Sequence, residues 1–122
     1  MGRSVKHSPL HAAQVGAIVE SVREALGLSQ EGLARVLGVS VRTVVRWERE
    51  GDEPPPLERE RLELIREIVE IAKDVTPLEA LPEWFSTPKR SLSGERPLDL
   101  LSSFKGIQQL RETLERTRWG IF

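Results

Sequence analysis

The run from Leu28 to Glu48, Leu28-Ser29-Gln30-Glu31-Gly32-Leu33-Ala34-Arg35-Val36-Leu37-Gly38-Val39-Ser40-Val41-Arg42-Thr43-Val44-Val45-Arg46-Trp47-Glu48, leaves the chain few ways to fold. Ser29 stands where a helix N-cap belongs, because a serine hydroxyl can accept a hydrogen bond from the N–H three residues on. Gly32 occupies the place where a full capping box would have Glu. Leu33, Ala34 and Leu37 then fall on one face, and Gly38 follows, where a left-handed backbone costs least. Ser40 is the next N-cap. Val44 and Trp47 lie three apart and face inward, while Arg42, Thr43 and Arg46 fall on the opposite side. Gly51 closes this helix. Two short helices joined by a tight turn, the second with a basic outer face, make a helix-turn-helix, a device that sets one helix into the DNA major groove. The same pattern also suits a three-helix bundle with a solvated arginine face and no DNA role.

The rest of the chain reads as helices separated by proline and glycine. Residues 1–11 read as a flexible arm. A first helix is expected from about Ala12 to Leu26, with Ile18, Val22 and Ala25 spaced i, i+4, i+7 beside Val15 and Val19, and Gly27 as its terminator. Pro54-Pro55-Pro56 cannot continue a helix and reads as a semi-rigid spacer whose last residue opens the next one. That helix, about Leu57 to Lys73, carries a stripe of Leu62, Ile65, Val69 and Ala72 flanked by Leu64, Ile68 and Ile71. The stripe is wider than one packing face needs, so it is expected to touch both halves of the chain or a second copy. Beyond Thr76-Pro77 the sequence predicts a short helix at Pro97–Ser103 and a last one at about Lys105–Arg116, with Ile107, Leu110 and Leu114 inward. The expected fold is all-α. An N-terminal helix-turn-helix bundle (residues 12–53) is followed by a Pro-rich spacer and linking helix (54–74) and a small helical C-terminal domain (75–122).

Composition narrows function by exclusion. Cysteine is absent, which removes disulfides, thiolate metal sites and cysteine nucleophiles. His7 and His11 fall short of the three or four ligands that a zinc site needs, so no metal or other cofactor is expected. Glu and Asp on the linking helix are expected to form i,i+4 pairs with Arg59, Arg61 and Arg66, and no glycine-rich phosphate loop follows a strand, so the chain is not read as an enzyme. No apolar run approaches the ~20 residues of a membrane span, and the basic start lacks the apolar core of a secretory signal. A cytoplasmic protein is expected. The net charge of −1 sits oddly with nucleic acid. Yet Arg35, Arg42, Arg46 and Arg49 cluster in the helix-turn-helix, and the acids Glu58, Glu60, Glu63, Glu67 and Glu70 gather on the linking helix.

The helix-turn-helix residues resemble the Cro/Xre repressor family, whose pattern runs close to L-S-Q-x-x-L-A-x-x-L-G-V-S-x-x-T-V-x-R-W-E, over residues 13–51. The resemblance implies that Gln30 contacts a phosphate, that Ser40 and Thr43 touch the backbone or groove edge, and that Val41, Arg42 and Arg46 read bases. Arg suits guanine and Val41 a thymine methyl. Glu48 is expected to tie the motif together through an internal ion pair. Because one recognition helix reads few base pairs, a homodimer on operator DNA is expected.

The C-terminal part, Trp84-Phe85-Ser86-Thr87-Pro88-Lys89-Arg90-Ser91-Leu92-Ser93-Gly94-Glu95-Arg96-Pro97-Leu98-Asp99-Leu100-Leu101, then Gly106 and the end Arg118-Trp119-Gly120-Ile121-Phe122, resembles the toxin-binding domain of Xre/MbcA/ParS-type antitoxins. Lys89-Arg90 departs from the family's usual Asn and puts a turn contact there in question. The resemblance implies a type II antitoxin that blocks a RES-domain toxin, an NAD-consuming enzyme, by covering its active-site entrance, and that represses its own operon. Trp84, Arg118, Trp119, Gly120, Ile121 and Phe122 are the candidate toxin contacts. Core closure is the competing reading, preferred for Trp84; partner contact is preferred for the terminal residues. Two other functions fit the sequence. One is a plain Cro/Xre regulator whose C-terminal half dimerises or senses a ligand, and the other is an adaptor whose helix-turn-helix no longer binds DNA.

Overall fold

Gly27, Gly38 and Gly51 each end a helix in the left-handed region, at φ 72°, 73° and 69°. The N-terminal half is thereby cut into three helices of the expected kind: α1 (Leu10–Leu26), α2 (Gln30–Leu37) and α3 (Val41–Glu50). The computed structural model describes residues 10–120, with side chains from Gln14 onward; most of the expected arm, and Ile121 and Phe122, lie outside the described residues. Ser29 Oγ accepts the N–H of Gly32 and Ser40 Oγ that of Thr43, so both N-caps form as the sequence predicts.

Four further α-helices follow: α4 (Pro56–Ala72), α5 (Leu81–Ser86), α6 (Pro97–Leu100) and α7 (Phe104–Arg118), with single 3₁₀ turns at Leu78–Ala80 and Arg90–Leu92. No strand occurs among the described residues. Pro56 opens α4, where its missing N–H costs nothing. The sequence predicts a single short helix at Pro97–Ser103. The structure instead ends α6 at Leu100, and Ser103 caps α7 by accepting the Gly106 N–H at 2.9 Å.

One core runs through both halves. In α1 the fully buried residues are Val19, Val22 and Leu26, while Ile18 and Ala25 are only half-buried. The inward stripe is therefore rotated from the expected one, because α1 packs on α3 as well as on α4 and α5. Gly16 allows the close α1–α3 approach: a Cβ there would stand 2.5 Å from the Glu48 carbonyl oxygen. Val44 and Trp47 are buried against α1 and α2, as expected. The wide stripe of α4 is used on two sides, by α1 and by α7, so Leu62, Ile65, Ile68, Val69, Ile71 and Ala72 are all buried. The C-terminal helices add Leu81, Phe85, Leu92, Leu101, Ile107, Leu110 and Leu114 to the same core.

The arginines of α4 do not make the expected i,i+4 pairs. Arg59 bonds Glu53 at 2.6 Å. Arg61 donates to the carbonyls of Leu37 (3.1 Å), Val36 (2.7 Å) and Leu101 (3.2 Å), with its guanidinium 5.9 Å from the Phe104 ring centre. Its Nε is buried without a partner, and burial pulls its pKa down. A planar fork suits this task better than a point charge, because it reaches several acceptors at once. Arg61 thus ties the C-terminal end of α2 to the end of α6.

Candidate functional site

An internal clamp sets the orientation of α3. Glu48, half-buried at the far end of that helix, accepts from Arg23 Nε at 2.8 Å and from Gln30 Nε2 at 2.9 Å, while Arg23 Nη1 reaches the Leu28 carbonyl at 3.1 Å. The hydrogen bond from Arg23 to Glu48 raises the arginine pKa against the opposing cost of burial. The expected ion pair of Glu48 is present, and its partner on α1 fixes all three helices of the motif together. Gln30 turns its side-chain amide inward to this clamp; its place at the start of α2 also leaves a backbone N–H that has no intrahelical acceptor.

The outer face of α3 is open. Val41 is 39% exposed and Arg42 is exposed with no ion pair among the described residues. Ser40 Oγ lies 2.8 Å from Thr43 Oγ1, so the capping hydroxyl and the Thr43 hydroxyl share a hydrogen bond. Arg46 is exposed too, with Nε 3.3 Å from Asp52 Oδ2. This aspartate escapes a sequence reading, because residues six apart meet only once the helix has ended between them. Val41, Arg42 and Arg46 are exposed and Thr43 is half-buried, so the open part of α3 carries one apolar side chain, one hydroxyl and two guanidiniums.

The C-terminal candidates stand around the turn after α4. Arg118 bonds Asp74 at 3.2 Å and Glu115 at 2.7 Å, and its guanidinium lies 5.2 Å from the Trp119 ring centre. Trp119 itself is 68% exposed. Gly120 follows at φ 72°. Trp84 is half-buried: its ring meets Phe85 edge-on at 5.1 Å, and Lys89 Nζ sits 4.6 Å above it. Trp84 therefore closes the core on one side and faces solvent on the other. With Thr76, Glu83, Thr87 and Lys89 it lines a shallow hollow of about 250 Å³. Lys89 also holds its turn through the main chain, donating to Glu95 and accepting from Leu92 and Gly94, so the turn forms without the family's Asn. Partial burial lowers the Lys89 pKa, against the opposing charge of Glu83.

Residues 19–63 match the helix-turn-helix family model, and residues 72–120 match the model of the antitoxin Xre/MbcA/ParS C-terminal toxin-binding domain. A curated protein of Mycobacterium tuberculosis, "Probable mycobacterial cidal antitoxin Rv3188", is 35% identical over 92 residues, 75% of this chain and 76% of the relative. The chain belongs to the Xre/MbcA/ParS antitoxins. The mycobacterial cidal antitoxin MbcA of Mycobacterium bovis is 28% identical over 108 residues, which cover 88% of this antitoxin and 95% of MbcA. Among solved structures, a chain of the M. tuberculosis MbcT–MbcA toxin–antitoxin complex superposes with a TM-score of 0.71 at 25% identity, covering 88% of this chain and 96% of that one. The antitoxin is thus matched along most of its length, and both halves of the family architecture are present. No helix among the described residues is long and apolar enough to cross a membrane.

Proposed function

We propose that this antitoxin neutralises a RES-type, NAD-consuming toxin by covering its active-site entrance with the C-terminal half, and that it represses its own operon as a homodimer on operator DNA. The observation that carries the first part is the match of residues 72–120 to a toxin-binding domain, in a chain that superposes on a member of a toxin–antitoxin complex. Trp84, Arg118, Trp119, Gly120, Ile121 and Phe122 are the proposed contacts. An exposed tryptophan stacked by an arginine is the kind of anchor that dominates interfaces.

The open face of α3 supports the second part. Val41, Arg42 and Arg46 would read bases, with Ser40 and Thr43 at the groove edge. Gln30 would meet a phosphate through its backbone N–H, since its side-chain amide serves Glu48. Two recognition helices one DNA turn apart would supply the specificity that a single helix lacks. Such a protein works where operator DNA and NAD are, in the cytoplasm.

The test is co-expression. A RES-domain toxin of the same host is induced with and without this chain, and the DNA upstream of their operon is footprinted with the purified protein. Restored growth together with a protected, two-fold symmetric site supports both parts. Protection of the DNA without restored growth would leave a plain regulator in place of the antitoxin–toxin pairing proposed here.

A further inference from the structure

We propose that Asp52 is a positioning residue for Arg46 and that the pair reads one guanine of the operator. The proposal rests on the DNA-binding reading above and adds a residue outside the recognition helix to it.

Asp52 lies on the linker between α3 and α4, and that linker is anchored. Gly51 turns the chain back on itself at φ 69°. Glu53 Oε2 accepts from Arg59 Nη1 at 2.6 Å, Pro54 is buried, and Pro56 begins α4. The Asp52 carboxylate is therefore presented from a strap fixed on both sides, 3.3 Å from Arg46 Nε. Both side chains remain half open, each 49% exposed. Thr43, Arg46, Trp47, Asp52 and Glu58 line the same hollow beside α3.

The chemistry follows from which nitrogen is held. A guanidinium reads guanine with two parallel N–H donors, one to O6 and one to N7. The Asp52 carboxylate stands closest to Nε, at 3.3 Å, and not to Nη1 or Nη2, the two terminal nitrogens that form the end-on fork guanine accepts. It also removes part of the rotamer entropy that a free arginine loses on docking. The negative charge of Asp52 repels a phosphate, so Arg46 is steered from the backbone towards a base edge. Arg42, which has no ion pair among the described residues, lacks this bias.

A carboxylate that merely competed with DNA for Arg46 would behave differently. Its removal would raise affinity for every sequence alike. The experiment separates the two on the full-length chain by measuring affinity, through fluorescence anisotropy, for the footprinted operator and for duplexes substituted one position at a time. The wild type is expected to prefer guanine at one position of each half-site by roughly tenfold. Arg46→Ala is expected to abolish that preference. Asp52→Asn is expected to reduce it to about threefold or less with other positions unchanged, Asp52→Glu to retain part of it, and the double variant to match Arg46→Ala at that position. Thermal melts of each variant check that the fold is intact. Full guanine preference in Asp52→Asn, with affinity raised uniformly, would overturn the proposal while leaving DNA binding standing. A wild type that binds no operator sequence would overturn both.

Discussion

Replacing Arg61 tests whether one side chain joins the two halves of the molecule. Its guanidinium donates to the carbonyls of Val36, Leu37 and Leu101, and a hydrogen bond from a charged donor contributes roughly 1.5–3 kcal/mol in favourable settings. The gross gain over these bonds is about 5 kcal/mol. Against it stand the desolvation that lowers the arginine pKa and the buried Nε that finds no acceptor among the described residues, and together they offset part of that gain. Arg61→Met keeps most of the apolar stem, removes the charge together with its contact to the Phe104 ring, and strands the carbonyls. The expected net loss is about 3 kcal/mol, or a fall in Tm of roughly 10 °C. Arg61→Lys should lose about half as much, because an ammonium cannot span the same set of carbonyls. Urea unfolding followed by circular dichroism, with calorimetry alongside, measures both variants. A Met variant as stable as the wild type would refute the reasoning, since it would mean that burying the guanidinium cancels all that its bonds contribute.

Other substitutions probe separate links of the argument. Gly106→Ala should destabilise the fold by about 3 kcal/mol, because the new Cβ would run into the Leu100 carbonyl oxygen; a loss below about 0.5 kcal/mol in urea would show that α6 yields easily. Glu48→Ala strips Arg23 and Gln30 of their shared acceptor and should cost about 3 kcal/mol and weaken operator binding, with unchanged unfolding arguing against the clamp. Arg46→Ala should weaken operator binding without altering toxin binding, and equal operator affinity in mutant and wild type would remove it from the reading face. Ending the chain after Arg118 removes Trp119, which is 68% exposed, and should weaken toxin neutralisation at little cost to stability; undiminished protection of cells would discount the terminal anchor.

The helix-turn-helix was legible because its signals are local. Ser29 and Ser40 as caps, Gly38 in the turn, and Val44 with Trp47 three apart all act within a few residues, and all stand where the sequence places them. The face of α1 was harder to read, since its apolar residues cover more than one side and only tertiary packing selects Val19, Val22 and Leu26. Arg61 was misread for a clear reason. The sequence offers glutamates at helical spacing, but the side chain reaches carbonyls 24, 25 and 40 residues away. The link from Arg46 to Asp52 was equally hidden, because it exists only after Gly51 has reversed the chain. Trp84 shows the limit of a choice between core and interface, for it packs on Phe85 and also carries Lys89 on its outer face.

The shared core also decides how the central claim should be tested. A chain cut at Leu81 would lose Phe85, Leu92, Leu101, Ile107, Leu110 and Leu114, which are buried together with the residues of α1 and α4, so the intact protein is the proper reagent. The most direct measurement is the rate of NAD consumption by a purified RES-domain toxin of the same host, titrated with the full-length chain. Consumption is expected to fall to background at a fixed stoichiometry, with the two proteins eluting together in gel filtration. Undiminished NAD consumption in the presence of excess folded protein would contradict the proposed neutralisation.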